Sequence, residues 1–186
     1  MPLIQPYRSS AYNNAWTNYR LLKACEQLDQ KELVAKRSGF FPSILHTLNH
    51  ILTVDRFYIS ALEGSCIGHS AFDPEISCQL LSDLNREQRL ADTRLLAFCK
   101  QLTAEQLSQR TVLVHGERLQ HERIDKTLLH LFQHQIHHRG QVHAMLAGTS
   151  VSPPQLDEFF LDDESEKASR RDDFLALGFS EEEIWG

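Results

Sequence analysis

The sequence predicts an all-α protein: an antiparallel four-helix bundle with a small hairpin and a short C-terminal helix. Three observations carry this. Apolar residues recur at three- and four-residue spacing over four long stretches, short to medium loops separate those stretches, and 186 residues with 41% hydrophobic content suit one domain. Residues 1–161 would form the bundle, and residues 162–186 an acidic linker and short docking helix of the same domain.

The first helix is expected over about residues 10–28, where Tyr12, Ala15, Trp16, Tyr19 and Leu22 share one face. A second is expected over about 42–62. Pro42 stands where a first turn tolerates it, Leu45, Leu48, Ile51, Leu52 and Leu62 supply the stripe, and Gly64 follows the end. A third, about 77–102, takes its stripe from Leu80, Leu84, Ala91, Leu95, Phe98 and Leu102. "TVLVHGERLQHERI" then breaks the period with β-branched residues around a His-Gly pair and reads as a hairpin. Asp125 is placed to cap a fourth helix running to about Ala147, before Gly148 and the prolines that follow. "LDDESEKASRRDD" reads as a polar linker, and "DFLALGFSEEEIWG" as the docking helix.

Composition excludes some functions. With 19 basic and 25 acidic residues the net charge is −6, and no basic run offers a phosphate-tracking surface, so no nucleic-acid partner is expected. No apolar run approaches the length of a membrane span, and the N-terminal residues do not read as a signal peptide. Cys25, Cys66, Cys78 and Cys99 form no C-x-x-C pair and read as reduced thiols of a cytoplasmic protein.

The chemistry concentrates in "HLFQHQIHHRGQVHAML", residues 130–146. With His130 at zero on a helical wheel, His134 falls at about 40°, His138 at about 80°, Gln141 at about 20° and His137 at about −20°. His143 and Arg139 face away. Leu131 and Val142 flank the arc on one side and Leu129 and Ile136 on the other, which predicts a helix buried on most of its circumference with the histidines lining the interior. His134 and His138, four apart, can reach one cation. "HTLNHILTVDRF" offers His46 and His50 on the second helix, while Asp55 lies about 140° round from His50. Three histidines from two helices leave a coordination position open, as in catalytic zinc-type sites, but imidazole also suits nickel, iron and copper. A polar helix face also produces such spacing without a metal.

"TLNHILTVDRFYISAL" and "HLFQHQIHHRGQVHAML" together resemble the two signature helices of the DinB family. The likeness extends through "YNNAWTNYRLLKACEQL", "SPPQLDEFFL" and "LALGFSEEEIWG". It implies an up-down-down-up bundle holding a divalent metal, zinc or nickel first, with iron or manganese as other options. Carried over by position, the ligands are His50, His134 and His138, with His46, His137 and Gln141 as their neighbours. The remaining histidines, His69, His115, His121, His130 and His143, are read as ordinary polar residues, and Gly140 as a point of close backbone approach. Arg139 is assigned to a salt bridge at a helix or subunit contact, with Asp55 as a candidate partner. The resemblance further implies a homodimer acting on a small molecule. Related groups include thiol S-transferases and a thiol-dependent isomerase, so a thiol-activating enzyme in detoxification or stress response is the first expectation. A hydrolase and a non-catalytic metal-binding bundle remain alternatives.

Overall fold

The computed structural model describes residues 3–186, and every side chain among them except that of His69, whose expected role therefore lies outside the described residues. Helix α1, Gln5–Cys25, starts ahead of its apolar stripe because Pro6 occupies its first turn, where a missing N–H costs nothing. A short helix α2, Gln30–Val34, follows, with the Asp29 carboxylate accepting from the Glu32 N–H at 2.8 Å. It is too short for periodicity to announce. Helix α3, Ile44–Leu62, is capped by Ser43, whose hydroxyl accepts from the His46 N–H at 3.2 Å, so Pro42 lies just before the cap rather than in the first turn.

Helix α4, Leu81–Gln101, begins later than its stripe predicts. The Asn49 amide holds Cys78 by both its N–H (2.8 Å) and its carbonyl (2.9 Å), fixing that segment to α3 instead of releasing it to a helix. Strands β1, Arg110–His115, and β2, Arg118–Arg123, pair antiparallel with Val112 opposite His121. Gly116, at φ 62°, makes the two-residue turn between them. Helix α5 spans Ile124–Leu146. Asp125 does not cap it. Its carboxylate pairs with Arg123 at 2.6 Å and accepts from the Lys126 N–H, acting within the first turn.

The acidic stretch read as a linker is instead the start of helix α6, Glu164–Leu177. Asp163 accepts from the Ser165 and Glu166 N–H groups, and Glu164 and Glu166 place negative charge at the positive end of the helix. Gly178, at φ 69°, ends it, and α7, Glu181–Trp185, closes the chain. Phe159, Phe174 and Ile184 form an aromatic-rich cluster with Tyr12 and Trp16 of α1. Arg170, only 2% exposed, lies against the Phe159 and Phe174 rings and donates to the Phe159 carbonyl at 2.8 Å.

Helices α1, α3, α4 and α5 make the bundle. Arg8 reaches the carbonyls of Cys99 and Lys100 while Asn18 reaches Asp92, so α1 and α4 are antiparallel. His50 faces His134 and Tyr58 faces His130, so α3 and α5 are too. The pairs Arg56–Glu87 and Arg94–Glu63 make α3 and α4 parallel, which completes the up-down-down-up order. The core between them is aliphatic, with Leu21, Ile44, Leu52, Leu84, Leu95, Leu128 and Leu131 at or below 1% exposure. Burial pushes the Cys25 and Cys99 thiols up to about 12, and all four cysteines are unpaired. Among the described residues no helix is long and apolar enough to cross a membrane.

Candidate metal centre

Helix α5 turns Leu128, Leu131, Gln135 and Val142 wholly inward. The opposite flank is not buried, since Leu129 and Ile136 are each 57% exposed. The histidine stripe therefore runs along the edge between α3 and α5 rather than through the bundle interior. His138 is buried, His134 and His50 are part-buried, and His130 and His137 are exposed.

At that edge the two helices bring His50, His134 and His138 together, with one ring nitrogen from each lying within 4.8 Å of the others. His50 Nε2 and His134 Nε2 are 3.0 Å apart. Two nitrogens bound at about 2.0–2.1 Å to one tetrahedral zinc would stand ~3.3 Å apart, so the pair is already near chelating distance. Gln141 fixes the third ring. Its carbonyl oxygen lies 2.9 Å from His138 Nδ1, which must carry the proton and leave Nε2 as the free lone pair. The Gln141 amide nitrogen in turn donates to His137 Nε2 at 3.1 Å.

The rings are held neutral. Burial, then the neighbouring His138 and His46, lowers the His50 pKa to about 4. Burial, then His138, His50 and two further histidines, lowers His134 to about 3. Burial also lowers His138, against the raising effect of Gln141. His134 Nδ1 is buried with no hydrogen-bond partner among the described residues. Neutral imidazoles crowded together, with one ring nitrogen from each converging and one nitrogen orphaned, fit a divalent cation by donor set and protonation state.

The DinB family model matches residues 5–171. The chain belongs to the DinB family. The chain is similar to the uncharacterized protein YizA of Bacillus subtilis (strain 168), 29% identical over 133 residues that cover 69% of this chain and 79% of YizA. It is also similar to protein DinB of the same organism, 24% identical over 164 residues, 83% of this chain and 94% of that protein. Among solved structures, a DinB-like protein from Bacillus cereus ATCC 10987 superimposes with a TM-score of 0.59, at 15% identity, covering 75% of this chain and 90% of the other. That likeness establishes the DinB fold for the bundle.

Two side chains around this DinB site had no local signal in the sequence. Phe41, from the loop before α3, lays its ring 4.4 Å from His50 and 5.0 Å from His46 between centroids, walling the histidines on one side. Glu75 accepts from or pairs with His46 Nε2 at 3.0 Å and bears electrostatically on His50. Both come from connecting segments, where only the folded chain reveals proximity. His130 meets the Tyr58 ring edge-on at 5.1 Å between centroids, His115 packs on Phe57, and His143 contacts the Pro154 carbonyl at 3.0 Å, so none of the three adds a nitrogen to the group of His50, His134 and His138. Asp55 points away from it, as its position on the wheel requires.

Asp55 belongs instead to a second polar cluster inside the bundle. Arg139 is 4% exposed and donates through Nη1 to Asn14, Asn18 and Gln135 oxygens at 2.6, 3.0 and 3.2 Å. Asn18 and Gln88 donate to Asp92, and Gln88 also to Asp55 at 2.7 Å. Arg139 thus makes amide contacts within the core, not a salt bridge at a helix or subunit surface. Burial raises Asp55 to about 6 and, with Asp55 beside it, raises Asp92 to about 8, while burial lowers Arg139 to about 10. At neutral pH one carboxyl keeps its proton and one ionised carboxylate balances the guanidinium. Gly140 was expected to admit a neighbouring backbone, but a Cβ there would meet nothing within 4 Å.

Proposed function

We propose that this DinB protein is a metal-dependent enzyme that activates a low-molecular-weight thiol for S-transfer, with His50, His134 and His138 holding a divalent cation, zinc or nickel first. The observation that carries the reading is the convergence of three neutral imidazoles, one of them locked in its metal-ready tautomer by Gln141. When bound, such a cation keeps its full charge and stabilises a thiolate near neutral pH. The chain's own groups would do the rest. Phe41 would exclude water from one side of the histidines, Gln141 would orient His138, and the His46–Glu75 pair would accept the thiol proton. The thiolate sulfur then forms a bond to carbon of an electrophile as the leaving group departs with the bonding electrons.

A cavity of about 280 Å³ lies toward the hairpin, lined by Tyr58, Lys126 and His130, the last one helical turn before His134. The reading places the protein in the reducing cytoplasm, which suits its unpaired cysteines, as a homodimer of the kind its family resemblance implies. Hydrolysis is the second reading, favoured by the same His46–Glu75 pair acting on water instead of a thiol.

Metal analysis of purified protein against a His134→Ala/His138→Ala variant tests the site, with about one ion per chain expected in the former and none in the latter. Equal content in both overturns the assignment. Metal-loaded protein incubated with a chromogenic aryl halide and cysteine or glutathione should release halide in a thiol-dependent manner. Ester cleavage without thiol would establish the hydrolase, and silence in every combination a bundle that only binds metal.

A further inference from the structure

The polar core that joins the four helices of the bundle contains two acids and one base. Asp55 of α3 and Asp92 of α4 are 1% and 7% exposed, and Arg139 of α5 is the cation that acts on both. Gln88 links the carboxyls through a single nitrogen, which donates to Asp55 Oδ2 at 2.7 Å and to Asp92 Oδ1 at 3.3 Å. These two steps hold the bonded oxygens within ~6 Å of each other, the range over which like charges oppose each other's ionisation.

Each carboxyl is bonded on one oxygen only. Asn14, Asn18 and Gln88 all donate to Asp92 Oδ1, at 3.3, 2.9 and 3.3 Å, and no donor among the described residues meets Oδ2. Asp55 Oδ1 is likewise bare, and the nearby Gln135 amide favours its charge without closing a hydrogen bond. An ionised carboxylate in a core needs donors on both oxygens, whereas a protonated one is itself a donor. The donors present are too few for two charged carboxylates.

The surrounding elements do not make up the difference. Helix α1 meets the pair with the neutral Asn14 and Asn18, and α5 with Gln135 beside Arg139. Arg89 and Tyr19 line a cavity of about 190 Å³ that Asp92 also borders, next to Leu177 and Phe179 at the end of α6. Arg89 is turned onto the Tyr19 ring at 5.3 Å and donates to the Asn85 side-chain oxygen at 3.3 Å. The cavity gives Asp92 a route for proton exchange, while Asp55 lies sealed behind it.

We propose that the Asp55–Asp92 pair is a proton-binding site of the fold: one proton is taken up there when the chain folds at neutral pH, and its release as the pH rises leaves two negative charges against one guanidinium and loosens the joint of the four helices. The site lies apart from the histidine cluster and stands whatever reaction those histidines serve. Burial raises both acids, Asp55 to about 6 and, with Asp55 beside it, Asp92 to about 8. Both lie above the ordinary 3.8, so the native state holds a proton that the unfolded chain has lost, and stability falls as the pH rises toward 8.

The test measures urea unfolding of full-length, zinc-loaded protein from pH 6.5 to pH 8. That window lies above the ordinary histidine value of 6.5 and below the ordinary cysteine value of 9.0, which keeps the lowered histidines and raised thiols out of the slope. Across it the folding equilibrium constant should fall roughly 10-fold further in the parent than in Asp92→Asn, whose amide oxygen still accepts from Asn14, Asn18 and Gln88. Asp55→Asn, which removes the opposing charge, should also reduce the slope and serves if the first variant fails to fold. In the parent itself, one aspartate carboxyl carbon followed by NMR should titrate between about pH 7 and pH 9. An equal slope in the parent and the folded variants, or every aspartate carboxyl titrating below about pH 5, would overturn the proposal.

Discussion

Helix α5 carries two polar clusters on opposite sides, and they differ in almost every physical respect. On the α3 edge, His134 and His138 meet His50 with few hydrogen bonds, one orphaned nitrogen and pKa values held down by burial and mutual crowding. In the interior, Arg139 and its amides and carboxyls are linked by hydrogen bonds through every member, with charge nearly cancelling, and leave Asp55 Oδ1 and Gln135 Nε2 without a partner among the described residues. Polar groups that bind one another through most of their donors and acceptors specify a fold, because removing any of them strands its neighbours at a cost. Polar groups held together without satisfying one another await something else. One helix therefore serves stability with Gln135 and Arg139 and chemistry with His134 and His138, neighbours in sequence.

Removing one member of each cluster should separate the two roles, and this is the largest effect expected. Arg139→Ala strands the Asp55 charge in the core and should cost about 3–5 kcal/mol of stability in urea unfolding. His134→Ala, measured without metal, should change stability by less than about 1 kcal/mol, since it deletes a part-buried ring whose Nδ1 lacks a partner and whose Nε2 meets only His50. Equal losses in the two variants would break the distinction.

The bundle was legible because its four long helices bury aliphatic stripes, and periodicity reports such burial directly. The histidine arc was legible for the same reason, since the spacing of His134 and His138 and the direction of His50 are properties of single helices. What escaped was whatever depends on which element covers which face. Leu129 and Ile136 look like core residues by spacing, yet no helix lies over them. Arg139 looks like a surface charge, yet α1 and α4 bring Asn14, Asn18 and Asp92 around it. Residues 164–173 look like a linker by charge, yet Arg170 and Phe174 bury against Phe159, and the capped helix follows from that docking.

A smaller effect sharpens the comparison at the one side chain that links the histidines by a defined hydrogen bond. Gln141→Leu removes the acceptor that fixes the proton on His138 Nδ1 and should lower metal affinity about 10- to 100-fold in chelator competition, with the fold intact. Gln141→Glu keeps an acceptor and should retain most of the affinity. If both variants bind metal as the parent does, His138 needs no fixed tautomer and its assignment as a ligand weakens.

The smallest effect concerns pH, and it follows from the lowered values. A histidine of ordinary pKa, 6.5, takes up a proton as the pH falls below that value and loses its hold on a metal. With His50 at about 4, His134 at about 3 and His138 also lowered, protons compete only well below neutrality. Metal affinity should therefore drop less than ~10-fold between about pH 7 and pH 5.5, where three unperturbed histidines would lose more than ~100-fold. The same lowering has the opposite sense for folding without metal. Between 6.5 and the lowered values the unfolded chain binds protons that the native histidines refuse, so apo stability must fall as the pH falls through that window. A flat affinity profile with falling apo stability is thus the joint signature of desolvated histidines. A steep affinity loss near pH 6 would instead mean that the three rings sit in water, and the contrast with the hydrogen-bonded network across the helix would shrink to one of geometry.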